Sequence, residues 1–179
     1  MKNQAQPQPR GLFLILPGQC FPTRFIKPWL HCDFLLSEWA PNLLEDQHHQ
    51  LKLVMMIRSL RSYAEELRNA GAKVIYHPLD DERSGDFPGQ LEQARSRGSF
   101  SDLVHFEIED VFCANAIADI AKTLGLNRKA LPSPMFLRSR EVFADYLEHE
   151  PRPRMASFYR RQRKDLGLLL TADEKPLGG

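Results

Sequence analysis

The sequence predicts an α/β domain with a doubly wound, parallel, five-stranded sheet and helices on both of its faces. Continuous apolar runs at 11–16 and 32–38 are typical of strands that are buried on both faces. Between the later runs, apolar residues recur at helical spacing, so strands and helices alternate along the chain. Parallel strands that alternate with helices need crossovers, which cover both faces of a sheet.

The first strand, 11–16, is closed by Pro17-Gly18, and the second covers 32–38. A long helix is predicted over 42–70. Asn42 can serve as its N-cap, Glu45 completes a capping-box pair, and Gly71 has the position of a C-terminal glycine. The third strand, 73–79, follows at once because its residues return to an apolar run.

The second half of the chain continues the alternation. An acidic loop over 80–88 precedes a short helix at 90–97 and a strand at 102–108. Apolar spacing predicts a helix over 110–124, which Gly125 ends. A short strand or extended segment is expected at 133–137. Two final helices, 140–149 and 155–166, are separated by Pro151 and Pro153.

Composition limits the class of protein and its setting. The net charge of +1 argues against a polyanion-binding surface over the whole chain. Three cysteines without metal-ligand spacing, no leader and no apolar run of about 18 residues favour a cytoplasmic protein without a metal site or a membrane span. Residues 1–10 are polar and proline-rich and are predicted to be a disordered tail. The domain itself is assigned to 11–150 and a connector to 151–179.

The carboxyl ends of the predicted strands are where a ligand would bind in such a sheet. No glycine-rich phosphate loop follows any strand, which argues against ordinary nucleotide binding. Glu38 ends the second strand and has two interpretations, as a hydrogen-bond acceptor for a heterocycle or as a carboxylate that caps a nearby helix. His48 and His49 fit a solvated helix face better than a metal pair, because adjacent helical residues point about 100° apart.

The last predicted helix is basic. Arg160, Arg161 and Arg163 lie next to the aromatic pair Phe158-Tyr159. Three interpretations stay open, namely a solvated face, a surface that docks onto a following domain, and contact with a DNA backbone. Docking or solvation ranks before DNA contact.

Several segments together resemble the deoxyribodipyrimidine photolyase-related proteins, which include the iron–sulfur bacterial cryptochromes and (6-4) photolyases. The resemblance covers about residues 11–179. It rests on Leu14-Ile15-Leu16 with Gln19, on Leu36-Ser37-Glu38, on 48–53, on 56–67, on Val74-Ile75-Tyr76, on Leu79-Asp80-Asp81, on Phe158-Tyr159-Arg160 with Arg163 and Gly167-Leu168-Leu169, and on 175–179.

The resemblance implies a Rossmann-like or flavodoxin-like N-terminal antenna domain, which holds a ribityllumazine that harvests light for FAD. FAD, a four-cysteine iron–sulfur cluster and the pocket for damaged DNA are then expected in a helical domain beyond residue 179. This helical domain would be the partner in cis, and catalysis by the present chain alone is not expected. The implied cofactor-binding residues are Pro17, Gly18, Gln19, Ser37, Glu38, Asn42, Glu45, His48 and Met56.

Some of these residues differ from the usual family pattern. The family's first strand often ends in Gly-Asp-Gln, where this chain has Pro17, Gly18 and Gln19. Glu and Tyr are usual in the family at the positions of Asn42 and Glu45. Two other functions therefore stay open, namely a domain that has lost its chromophore and acts as an interaction module, and a free-standing small-molecule binder.

Overall fold

The computed structural model describes residues 11–40, 48–80, 86–173 and 175–177. It divides the chain into two compact units, the first ending at Pro134 and the second beginning at Met135. The predicted domain boundary after residue 150 and the predicted tail at 1–10 stay predictions.

The first unit contains a five-stranded sheet in the order β3-β2-β1-β4-β5, and every pairing is parallel. This confirms the predicted fold class. The strands are β1 (Leu12–Ile15), β2 (Asp33–Ser37), β3 (Lys73–His77), β4 (Asp102–Phe106) and β5 (Asn127–Leu131). The strand order reverses between β1 and β4, so the topological switch point lies at the carboxyl ends of these two strands.

Helices cover both faces of this sheet. The described residues of the first unit include the helices α1 (Gln50–Asn69), α2 (Phe87–Gly98) and α3 (Val111–Thr123). On one face, Leu60, Tyr63, Ala64 and Leu67 of α1 share a core with Phe13, Phe34 and Phe106. On the other face, α2 and α3 pack against Leu12, Leu14 and Leu103. Successive residues of β1 therefore enter opposite cores, as the pleat requires.

The connection from β1 to β2 contains two 3₁₀ turns, Thr23–Phe25 and Lys27–Trp29. Ile26 between them is fully buried in the same core as α1. This segment therefore takes the place of a crossover helix on that face.

Two helices begin at residues other than the predicted ones. The predicted start of the long helix at Asn42 is wrong, because His48 and His49 are not helical and α1 begins at Gln50. The His49 side chain accepts a hydrogen bond from the Leu51 amide at 3.2 Å and so caps the helix. Asn42 and Glu45 lie outside the described residues. Helix α2 begins at Phe87 instead of residue 90, because Asp86 accepts a hydrogen bond from the Gly89 amide at 2.9 Å.

The predicted end of α1 is confirmed. Gly71 has φ of 86°, a left-handed conformation that glycine adopts without a steric penalty. The Ala72 amide donates to the Leu67 carbonyl at 2.9 Å, which closes the last turn. Strand β3 then starts two residues after the glycine.

The strand predicted at 133–137 is wrong. The fifth strand is Asn127–Leu131, and Met135, Phe136 and Leu137 are exposed. Strand β5 is an edge strand whose first four residues are exposed, so it has no apolar run to reveal it.

The second unit contains α4 (Arg140–His149) and α5 (Met155–Leu166), as predicted. Tyr146 of α4 is buried, and its hydroxyl donates to the Arg154 carbonyl at 3.0 Å. The Phe158 ring lies 5.0 Å from both the Phe143 and the Tyr146 rings. These rings join the two helices.

Within the described ranges, no helix is both long enough and apolar enough to cross a lipid bilayer.

Candidate functional site

The switch point is bridged by a glutamine. Leu16, Pro17, Gly18 and Gln19 form a tight turn after β1, in which the Gln19 amide donates to the Leu16 carbonyl at 2.9 Å. Pro17 is the second residue of this turn, and Gly18 is the third and has φ of 93°. This arrangement is typical of a type II turn. The turn directs the Gln19 side chain to β4, where its Nε2 donates to the Glu107 carbonyl at 2.8 Å.

The Gln19 side chain is buried and keeps one polar atom without a described partner. Its side chain is only 3% exposed, and its Oε1 has no hydrogen-bond partner among the described residues. A buried acceptor without a donor costs about 1–3 kcal/mol, so a donor from outside the described residues would stabilise this position. A Cβ added to neighbouring Gly18 would meet no described atom within 4 Å, so the space beside the turn is open.

The end of β2 is held by buried polar contacts. The Ser37 hydroxyl donates to Gln90 of α2 at 2.6 Å and accepts from the Trp39 amide at 3.0 Å. Ser37 thereby fixes the chain where it leaves β2 and ties it to α2.

Glu38 is fully buried, and both of its oxygens are occupied by protein donors. Oε1 accepts from Arg61 Nε and from the Tyr76 hydroxyl, each at 2.6 Å. Oε2 accepts from Arg61 Nη2 at 2.9 Å and from the Leu79 amide at 2.8 Å. Burial alone would raise the pKa of Glu38, but these hydrogen bonds outweigh burial and hold the pKa below its ordinary value.

The structure therefore gives Glu38 a role in joining β2, β3 and α1, and none of its described partners is a helix N-terminus. Its direct contact with a cofactor stays a prediction. The same bonds raise the pKa of Arg61 and, together with burial, that of Tyr76, so both keep their protons at neutral pH.

The structure also describes His48 and Met56, two further residues predicted to bind a cofactor. His48 lies outside α1, with its Nδ1 at 3.1 Å from Lys52 Nζ, and Met56 is half-buried on α1. No described contact joins either residue to Gln19.

A further polar contact follows β4 and β5. The Ser133 hydroxyl donates to Glu109 Oε1 at 2.6 Å, and Asp110 caps α3 by accepting from the Cys113 amide at 2.7 Å. These contacts place acidic side chains at the end of β4.

Burial makes the cysteines poor nucleophiles. Cys32 and Cys113 are buried, and burial raises the pKa of the half-buried Cys20 to about 11. A thiol with such a pKa carries almost no thiolate at neutral pH. The interpretation of these residues as small apolar groups agrees with their positions.

Sequence reasoning missed Arg61, Tyr76, Gln90 and His105. The first three are the partners of Glu38 and Ser37, and they come from elements up to 53 residues away along the chain. Nothing in the local sequence marks them, because only the packing of α1, α2 and β3 on the sheet brings them to the end of β2.

His105 is a buried histidine of β4. Its Nδ1 is 2.6 Å from the Phe106 carbonyl and therefore carries the proton, while Nε2 has no partner among the described residues. Burial lowers the pKa of His105, and the Phe106 carbonyl offsets this effect only in part. The neutral imidazole is thus the folded form.

We expect His105 to make the domain sensitive to mild acid. As the pH falls below about 6.5, the unfolded chain binds a proton at this residue more readily than the folded chain does, so stability falls with a slope of at most about 1.4 kcal/mol per pH unit. The free energy of unfolding, measured by urea denaturation, should fall less steeply between pH 6.5 and 5 in the variant His105→Gln than in wild type. Parallel curves for the two proteins would contradict this assignment.

The basic face of α5 is partly used within the second unit. Arg163 donates to the carbonyls of Leu168 and Leu169, and its guanidinium lies 5.6 Å from the Tyr159 ring centroid. Arg160 Nε donates to the Ala156 carbonyl at 3.4 Å, and Arg161 lies 4.0 Å from Asp145. Arg163 therefore caps the end of α5. Docking and DNA contact by these arginines stay predictions.

Comparison with known proteins identifies relatives of this chain. A family model described as deoxyribodipyrimidine photo-lyase-related protein matches residues 14–179. A protein of Agrobacterium fabrum (strain C58 / ATCC 33970) named (6-4) photolyase is 29% identical over 133 residues. The match covers 74% of this chain but 26% of that protein, so the chain spans about a quarter of this relative.

Proposed function

The chain belongs to the deoxyribodipyrimidine photolyase-related protein family, and we propose that it is the antenna domain of a photolyase-like protein that repairs DNA with light or senses light. It holds a chromophore, 6,7-dimethyl-8-ribityllumazine, which absorbs light and passes the excitation energy to a flavin. The FAD, a 4Fe-4S cluster and the site for damaged DNA belong to a helical domain that is the partner in cis.

The observation that carries this proposal is the buried acceptor of Gln19. A ribityllumazine offers hydroxyl donors on its ribityl chain, and Oε1 of Gln19 is a fixed acceptor at the switch point, where ligands of doubly wound sheets bind. The hydrogen bond from Nε2 to the Glu107 carbonyl sets the orientation of the amide. The space beside Gly18, the neighbour of Gln19 in the chain, holds no described atom within 4 Å of an added Cβ.

Glu38 acts in this proposal by positioning other groups. Its two oxygens already accept four hydrogen bonds from protein donors. The carboxylate instead fixes Tyr76 and the chain at Leu79, which form the neighbouring strand end. Ser37 fixes the end of β2 through Gln90 in the same way.

We expect the purified chain to bind 6,7-dimethyl-8-ribityllumazine, and Gln19→Leu to weaken this binding about tenfold, because the variant loses the buried acceptor. Titration with the lumazine, followed by its fluorescence, measures the affinity. Gln93→Leu is the matched control, since Gln93 is exposed on α2 and should leave the affinity unchanged.

Two results would contradict these statements in different ways. If wild type binds no lumazine and is colourless when produced beside flavin-synthesis enzymes, the antenna proposal fails. If wild type and Gln19→Leu bind equally, the antenna proposal stands and the role of Gln19 is wrong.

An interaction module without a chromophore is the second candidate. The observation that favours it lies in the second unit, where Met155, Leu168 and Leu169 are exposed apolar residues. Exposed apolar side chains near both ends of α5, together with the basic residues Arg160 and Arg161, suit docking onto another domain better than they suit water.

A further inference from the structure

A basic cleft runs along the outer side of α1 next to the edge strand β3. It is an open groove with a volume of about 630 Å³, and Arg58, Arg61 and Arg68 line it together with Tyr76. This volume lies within the range of small-molecule sites, about 300–1,000 Å³. The residues at 58, 61, 65 and 68 follow one stripe of the helix at spacings of three and four.

One arginine of the cleft is held in place. Nε and Nη2 of Arg61 both bind the buried Glu38, yet half of the Arg61 side chain is exposed. The hydrogen bonds to Glu38 use Nε and Nη2, so Nη1 lies outside this pair. A guanidinium fixed on one edge and open on the other loses little side-chain entropy when it binds an anion.

The charges of the cleft do not cancel. Glu38 balances Arg61, and Glu65 forms an ion pair with Arg68. Arg58 is exposed and has no ion-pair partner among the described residues. One positive charge therefore remains next to the fixed guanidinium of Arg61.

We propose that this cleft binds a small phosphomonoester through Arg58 and Arg61. Two neighbouring guanidinium groups match the oxygens of a phosphate by charge and by paired N–H donors. The hydroxyls of Ser59 and Ser62, which also line the cleft, provide further donors. This site is built from other residues than the strand-end site around Gln19, and it takes a ligand of different chemistry.

A small ligand fits the cleft better than a nucleic acid does. The one positive charge that remains in the lining suits a single phosphate better than a continuous row of phosphates. The net charge of the whole chain is only +1, which does not favour attraction of a polyanion to the chain as a whole.

Titration calorimetry of the full chain with phenyl phosphate and with inorganic phosphate tests the proposal. Wild type should bind phenyl phosphate saturably, and Arg58→Gln should weaken binding about tenfold through loss of a charge-assisted contact. Arg97→Gln is the matched control, because Arg97 is exposed on α2 and the charge change is the same. Thermal denaturation of each variant confirms that it is folded.

Three outcomes would overturn the proposal. The first is the absence of saturable binding by wild type at millimolar phenyl phosphate. The second is an equal loss of affinity in Arg58→Gln and Arg97→Gln, which would indicate unspecific charge attraction. The third is binding of labelled duplex DNA that Arg58→Gln weakens while phenyl phosphate fails to compete.

Discussion

Replacement of Arg61 by methionine is expected to destabilise the domain by about 3 kcal/mol at neutral pH. The variant keeps an apolar stem and the helix propensity of α1 but removes both guanidinium contacts of Glu38. The fully buried carboxylate is then left with only the Tyr76 hydroxyl and the Leu79 amide as donors. These two remaining bonds place the expected cost at the lower end of the range for a broken buried ion pair.

The pH dependence of this cost identifies its origin. In wild type the pKa of Glu38 is lowered on folding, so its stabilisation is present above a pH of about 4.5 and is lost as the pH falls further. Without Arg61, burial is expected to raise the pKa of Glu38. As the pH falls, protonation of Glu38 then removes the cost of its buried charge in the variant. The difference between the two proteins in urea denaturation should therefore shrink between pH 7 and pH 4.

Arg68→Met is the matched control for Arg61→Met. Arg68 pairs with Glu65 on the same helix, but both side chains are largely exposed. Exposed pairs contribute about 0–1 kcal/mol, so this variant should lose little stability. Equal losses in the two variants, or a loss in Arg61→Met that does not change with pH, would show that Glu38 does not depend on Arg61.

The sequence was sufficient to predict the parts of the fold that bury apolar residues. The strands at β1 and β2 are continuous apolar runs because both of their faces are covered, and Gly71 and Gly125 mark helix ends by their conformational freedom. The sequence predicts the last strand at 133–137 instead of at β5. An edge strand exposes its side chains, so residues 127–130 have the polar pattern of a loop.

For the candidate site, the sequence predicts which residues lie at the strand ends but not which partners they bind. Gln19 and Glu38 follow buried strands, which places them at the carboxyl edge of any parallel sheet. That Glu38 is saturated by Arg61 and Tyr76, while Gln19 keeps an acceptor without a donor, depends on how α1 and β4 pack. Side-chain pairing across 23 to 88 residues of sequence is set by tertiary contacts that no local pattern records.

Phe13→Ala is expected to cost about 3–5 kcal/mol of unfolding free energy. The Phe13 ring is fully buried and lies between three elements, at 5.1 Å from Phe34 of β2, 5.4 Å from Phe106 of β4 and 6.0 Å from Trp29. Its removal leaves a cavity at the centre of the sheet that neighbouring rings on rigid strands fill poorly.

The same change should reach the switch point, because Phe106 directly precedes Glu107, whose carbonyl holds Gln19. Phe112→Ala is the matched control, since Phe112 is 76% exposed at the start of α3 and its loss should alter stability by no more than about 0.5 kcal/mol. Urea denaturation gives both free energies, and lumazine titration below the transition reports on the site. A loss below about 1 kcal/mol in Phe13→Ala would mean that the neighbouring rings refill the space, and that the aromatic cluster does not fix β1 against β4.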